Sequence, residues 1–280
     1  MPEQTAANTD AKQLRPRRAL ATIVAALLIA GVAACSDDAE EVYLERPVED
    51  IYNEAFNLLL DGDFKDAARG FQEVERQHPY SVWATKAQLM TAYASYQADD
   101  YDEAVLAAQR FIELHPGNPD AAYAHYLIGI SYYERISDVG RDQRMTELAL
   151  DTFEEIGRRY PDSKYARDAA LKISLARDHL AGKEMEVGRT YQDLEFYLAG
   201  INRFRNVVAE YQTTSHVPEA LLRLTECYLA LGVIAEAQAA AAVLGYNFPG
   251  SEWYQDSYAL LEERELEPRS NESSWLARIF

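Results

Sequence analysis

Five short segments of similar kind punctuate the chain, and they limit its fold more than any other feature. They are His78-Pro79-Tyr80-Ser81, His115-Pro116-Gly117-Asn118, Tyr160-Pro161-Asp162-Ser163, Tyr211-Gln212-Thr213-Thr214 and Phe248-Pro249-Gly250-Ser251. A proline there cannot continue a helix, because its ring removes the N–H and clashes with the preceding turn, so each segment ends a helical unit. Between the segments, apolar residues recur at three and four and almost no alternation of period two is found. The equivalent positions 79, 116, 161, 212 and 249 are 37, 45, 51 and 37 residues apart. That spacing suits a row of helical hairpins, none of which can bury its apolar stripe alone.

Reading backwards from each segment gives a common register. Before Pro79 stand Ala55, Gly62, Phe64, Ala67, Phe71 and Val74; before Pro249, Thr225, Gly232, Ile234, Ala237, Ala241 and Leu244; before Gln212, Gly188, Glu195, Tyr197, Gly200, Phe204 and Val207. Small residues let the two helices of a hairpin approach, and the large residue fills the space toward the neighbour. This pattern resembles the tetratricopeptide repeat. The resemblance implies an all-α, right-handed superhelical solenoid of five helix hairpins with a continuous core. The third repeat is lengthened around residues 135–142, a polar stretch that reads as a longer turn. The fourth is lengthened within residues 167–188, which keep helical period and predict a long first helix. Two semi-independent lobes are expected, repeats 1–3 over residues 48–162 and repeats 4–5 with a C-terminal helix over 163–267. Asp61-Gly62-Asp63 reads as a turn with Asp63 as N-cap.

The first 34 residues read as an address. A polar stretch ends in Arg15-Pro16-Arg17-Arg18, residues 19–34 are apolar and uncharged, and Val32-Ala33-Ala34-Cys35 closes the run with small residues before a cysteine. The run is shorter than the ~20 residues that span a bilayer, so a cleaved leader is favoured over an uncleaved anchor helix. The ending resembles the bacterial lipobox, which implies that Cys35 becomes the lipid-bearing first residue of the mature chain. Several acyl chains hold durably where one does not. Residues 35–47 are then an acidic tether. By analogy with lipoproteins, Ser36, not aspartate, after the cysteine favours the outer membrane.

A formal charge of -19 makes nucleic acid an unfavourable partner. No disulfide is expected, since Cys35 and Cys227 are the two cysteines and the first is committed to lipid. Cys227, in an apolar helix, reads as a core thiol. The histidines at 78, 115, 125, 179 and 216 lack the short spacings of a metal site, and no phosphate loop or nucleophile elbow is present. No enzyme, cofactor or small-molecule substrate is expected, apart from the covalent lipid.

A surface remains. On the first helices of the hairpins, Tyr52 and Phe56, then Lys86, Tyr93 and Tyr96, then Tyr123, Tyr126 and Tyr133 run at three and four and share one face each. Such a stripe suits an extended peptide with aromatic side chains; equally, tyrosines so spaced pack between hairpins. The stretches 178–189, 197–204 and 159–166 carry a further resemblance, to the BamD family, lipoproteins of the β-barrel assembly machinery. That resemblance implies a non-catalytic scaffold on the periplasmic face of the outer membrane of a Gram-negative bacterium. It also implies binding to BamA, alongside the other BAM lipoproteins, and to the aromatic C-terminal signals of unfolded outer-membrane proteins. It points to Asn202 and Arg203 for the BamA contact. Gln212-Thr213-Thr214 departs from the family's Pro-Asp-Thr and should loosen that turn. A lipid-anchored pilotin for secretins shares the anchor and fold, and a peptidoglycan-cleaving enzyme is disfavoured because too little chain follows Gly250 for a catalytic domain. Residues 268–280 read as a flexible tail whose apolar end, Trp275 to Phe280, could compete for the chain's own groove.

Overall fold

A computed structural model describes residues 45–280. The leader, Cys35 and nearly all of the tether lie outside the described residues. Residues 46–280 form one compact unit. Among the described residues there is no strand. The helices are α1 (Val48–Asp61), α2 (Phe64–Gln77), α3 (Val82–Gln97), α4 (Tyr101–Leu114), α5 (Ala121–Tyr133), α6 (Arg144–Arg159), α7 (Lys164–Asp193), α8 (Tyr197–Glu210), α9 (Val217–Ala230), α10 (Ile234–Asn247) and α11 (Glu252–Glu262), followed by a 3-10 turn at Trp275–Arg278. They pair as five hairpins, and α11 covers the end of the last one.

The punctuating segments lie where one hairpin passes to the next. In all five the residue after the turn donates its N–H to the carbonyl three back: Ser81 to His78, Asn118 to His115, Ser163 to Tyr160, Thr214 to Tyr211 and Ser251 to Phe248, each at 3.0 Å. Ser81, Ser163 and Ser251 then cap the next helix, their hydroxyls accepting from the N–H of Trp83, Ala166 and Tyr254. The expected loosening at Gln212-Thr213-Thr214 is absent: its closing bond is as short as the others, and Thr214 Oγ1 adds a second to Tyr211 O at 2.8 Å. In four of the five hairpins the turn places a left-handed residue seventeen positions before the proline slot; in the third, with its longer turn, that position is Arg144, the first residue of α6. Gly62 and Gly232 supply the left-handed conformation at φ 87° and 73°, while Asp99 and Glu195 are held there at 58° and 62°. Asp63 does stand at the N-cap of α2, but its side chain makes no capping hydrogen bond.

The register slots are filled as their sizes require. Phe71, Phe153 and Phe204 are fully buried, and the rings of Phe153 and Phe204 lie against Gly129 and Gly188, where any Cβ would collide. The core is not continuous, however. It is divided into four clusters, along α1–α3, α3–α5, α5–α7 and α7–α11, because each hairpin touches only its neighbours. Helix α7 belongs to two of them. Ala169 and Ile173 pack with α5 and α6, while Ala181 and Met185 pack with α8 and α9.

First helices lie backbone to backbone with first helices all along the row (α1 with α3, α3 with α5, α5 with α7, α7 with α9, α9 with α11), whereas the backbones of second helices stay apart and meet only through long side chains, as Gln72 with Glu103 and Arg110 with Glu75. The row thus closes up on the side of the first helices, which form its inner layer, and opens on the side of the second. The long turn at 134–143 folds against α7, where His179 Nε2 meets Ser137 O at 2.7 Å and Lys183 Nζ donates to Gly140 O at 3.1 Å.

Residues 268–280 are packed, contrary to a loose tail. Arg269 N–H donates to Gln238 O, Ser274 Oγ to Glu236 at 2.7 Å, and Trp275 Nε1 to Tyr228 OH at 3.2 Å. Leu276 is 1% exposed in the C-terminal cluster. The tail's apolar side chains have a nearer place to go than the groove expected on the first helices, namely the uncovered flank of α10.

Candidate functional site: the aromatic inner face

The stripe read from the sequence lies on the inner layer, and its residues are neither wholly core nor wholly surface. Tyr52, on α1, packs by its ring on Phe71 at 5.3 Å and Trp83 at 4.8 Å, while its neighbour Phe56 is 38% exposed. Tyr93, Tyr96 and Tyr123 rest half-buried on the α3–α5 cluster, and Tyr126 and Tyr133 on the α5–α7 cluster, each 6.2 Å from Phe153. One edge of each ring thus serves packing between hairpins and the other faces outward. The hydroxyls follow: burial first raises the pKa of Tyr123, and that of Tyr126, which also donates to Asp168 at 2.6 Å. Both stay neutral hydrogen-bond donors at physiological pH.

The structure extends this face in a way the tyrosine pattern did not show. Tyr165, at the start of α7, stacks 5.3 Å from Tyr123 and 5.2 Å from Tyr126, joining α5 to α7. Beyond it Leu171 and Leu175 are 68% and 57% exposed. They stand at the same offsets from Pro161 as Tyr126 and Ile130 do from Pro116, so the register already contained them; the stripe read from the sequence stopped at the third hairpin.

The helices of this face differ in charge: α1 carries Glu49, Asp50, Glu54 and Asp61, and on α7 Asp168 pairs with Lys172 at 3.6 Å, whereas the middle helices have almost no acid. Helix α3 carries Lys86 and no acidic residue, and α5 carries no Asp, Glu, Lys or Arg. Ammonium groups lie over rings: Lys86 over Trp83 at 5.2 Å, Lys164 over Tyr165 at 5.0 Å and Lys172 over Tyr133 at 4.6 Å. Aromatic edges, exposed leucines and fixed cations make a surface suited to an extended apolar peptide with a negative group.

Asn202 and Arg203 are elsewhere, on α8 in the outer layer. Asn202 is exposed; Arg203 Nη1 pairs with Glu184 at 3.1 Å, and Asn206 donates to the same carboxylate. Cys35 lies outside the described residues. Cys227 is free and buried, and burial pushes its thiol up to about 12. Among the described residues no group of three metal-binding side chains is assembled, and no helix is long and apolar enough to cross a membrane.

This geometry defines a class: a helical-hairpin solenoid whose inner layer presents aromatic and aliphatic side chains. Residues 44–244 match the model of the YfiO family, described as outer membrane lipoprotein, and the chain belongs to that family. It is 50% identical over 254 residues to the outer membrane protein assembly factor BamD of Caulobacter vibrioides, covering 90% of this chain and 83% of that one. It is 44% identical over 245 residues to the factor of the same name from Rickettsia prowazekii, covering 87% and 98%.

Proposed function

We propose that the chain is a lipid-anchored, non-catalytic scaffold of outer-membrane protein assembly, held by Cys35 on the periplasmic face of the outer membrane. Its inner face, over residues 48–162 and the first half of α7, receives the aromatic C-terminal signals of unfolded outer-membrane proteins. Its C-terminal hairpins, over residues 163–267, meet BamA around Asn202 and Arg203. The observation that carries the first reading is the row of half-exposed rings and leucines beside Lys86, Lys164 and Lys172 in a chain otherwise strongly acidic. Membership of a family whose relatives are named for outer membrane protein assembly supports the setting. For the second reading, Arg203 engages Glu184 through Nη1, and a guanidinium has donors to spare for a partner's carboxylate or carbonyl.

The test is affinity for a synthetic peptide ending in an outer-membrane-protein signal. Leu171→Glu with Leu175→Glu charges the face at exposed positions, and Tyr93→Glu with Tyr126→Glu does so among the rings. Each pair is expected to weaken binding at least about tenfold, the scale of losing well-packed apolar contacts. Unchanged affinity with the helical spectrum intact removes the inner face as the client site. Arg203→Ala is expected to reduce co-purification of BamA, and full recovery would remove that assignment.

A further inference from the structure

Helix α7 has 30 residues where α5 has 13 and α9 has 14, and the inner layer has a step where α7 is joined from both sides. Helix α5 runs beside its first half and ends at Tyr133, which packs with Ile173 and lies under Lys172 Nζ at 4.6 Å. Helix α9 starts beside its second half. His216, at the α9 N-cap, is 3.6 Å from Asp178, and a Cβ on Gly182 would come within 3.3 Å of the same imidazole. Between the end of α5 and the start of α9 lies a cavity of about 450 Å³, bordered by the long turn.

Tyr133, Ile136, Val139 and Leu175 make its apolar wall. Tyr133 and Leu175 also belong to the row of rings and leucines on the inner face, so the cavity continues that row at its C-terminal end. Two of its polar groups are engaged: His179 Nε2 meets Ser137 O, and Asp178 Oδ1 accepts from the N–H and the hydroxyl of Ser215. Arg189 has donors to spare. Its Nη1 holds Glu219 at 2.9 and 3.0 Å, and Nε and Nη2 have no protein partner among the described residues. The two ends of the row differ in sign, because α1 carries four carboxylates and no cation, whereas α7 carries six Lys and Arg against five Asp and Glu. A negative group is disfavoured at α1 and finds Lys172 and Arg189 at the cavity.

We propose that this cavity receives the last residue of a client chain, its aromatic ring against the apolar wall and its α-carboxylate on Arg189. The inference rests on the reading of the inner face as the client site, and it adds a direction: the client's terminus lies at α7 and the preceding residues cross α5 and α3 toward α1. The volume falls in the range of small-ligand sites, about 300–1,000 Å³, which suits one residue and excludes a helix. A guanidinium-carboxylate pair supplies a charge-assisted hydrogen bond. Neighbouring helices lie about 8–10 Å apart and an extended chain advances about 3.3 Å per residue, so about nine residues lead from α7 to α1.

The probe is a synthetic signal peptide ending in phenylalanine, labelled with fluorescein at its N-terminus and titrated onto the full chain. It is compared with its C-terminal amide and with a peptide bearing alanine in place of the final phenylalanine. The acid should bind about three- to tenfold tighter than the amide, and the alanine peptide about tenfold weaker or more. Arg189→Gln, which leaves Arg223 on Glu219 at 3.4 Å, should abolish the preference for the acid, and Val139→Glu should weaken the phenylalanine peptide about tenfold or more. Equal binding of acid and amide by the parent chain, or a preference that survives Arg189→Gln, overturns the proposal. The inner-face reading stands in that event if Tyr93→Glu with Tyr126→Glu, outside the cavity, still weakens binding. If that pair is also without effect, the client reading has failed and the proposal falls with it.

Discussion

Replacing Gly188 by alanine isolates the close approach on which each hairpin depends. A Cβ built there lies 2.5 Å from Cε1 of Phe204 and 2.9 Å from Cδ1 and Cζ, where carbon atoms normally rest about 3.5–4.0 Å apart. The ring must therefore move by about 1 Å, yet Phe204 is fully buried, in a cluster shared with Met185, Val207 and Leu221. Overpacking of this kind costs about 1–3 kcal/mol. Against it stands the better helix propensity of alanine, about 0.5–1 kcal/mol. The ring wins, and a net loss of about 0.5–2 kcal/mol is expected, which for a domain of this size lowers Tm by about 1–8 °C. Gly157→Ala, on α6 with nothing within 4 Å of the new Cβ, keeps the helix gain without the collision and should raise Tm slightly. Phe204→Leu should relieve the clash, so that the double variant with Gly188→Ala is less destabilised than the sum of the singles. Calorimetric melts of the four variants check this. If Gly188→Ala melts at or above the parent, the close approach does not constrain the fold and the reasoning is wrong.

Two further outcomes follow from single residues. Glu195, left-handed at φ 62°, carries strain of about 1–2 kcal/mol that glycine does not, against about 0.4–1 kcal/mol for the freer unfolded chain; Glu195→Gly should therefore stabilise by about 0.5–1 kcal/mol in a denaturant titration, and a loss would show that Glu195 is not strained. Acidification should destabilise the fold in two steps, because burial lowers the pKa of His125 from 6.5, with Arg159 Nη1 donating to its Nε2, and the hydrogen bond from Arg159 lowers that of Glu155 from 4.5. In both cases the unfolded chain binds the proton first, so stability from His125 declines as pH falls below about 6.5 and that from Glu155 as it falls below about 4.5. A His125→Asn variant should flatten the upper step only, and an unchanged slope of Tm against pH would remove His125 as its source.

The repeat was legible because it rests on shape at fixed offsets. Prolines that end helices, glycines at left-handed turns and a buried phenylalanine against a small residue leave marks that survive insertions of any length. What escaped has physical reasons too. The register contained Leu171 and Leu175, but leucine on a helix reads as core until neighbouring helices are seen to leave it uncovered. Asp63 occupies an N-cap without capping, since cap identity depends on a rotamer and not on residue type alone. The tail read as loose because its composition is polar up to Ser274, and only the bare flank of α10 gives Trp275 and Leu276 somewhere to bind. Four separate clusters, instead of one core, follow from neighbour-only contact, which was already implicit in the repeat.

The gapped outer layer also decides where this molecule is compliant. With first helices in contact and second helices apart, neighbouring hairpins can pivot about the inner seam like vertebrae, narrowing a gap at little cost, whereas tighter curling drives the inner helices into one another. The wedge of Trp275 and Leu276 in the final gap locks that joint, and the α7–α11 cluster around it is the broadest of the four. Compliance is therefore left to the N-terminal joints, where the spacing of the rings along the inner face can change while the opposite end keeps its form.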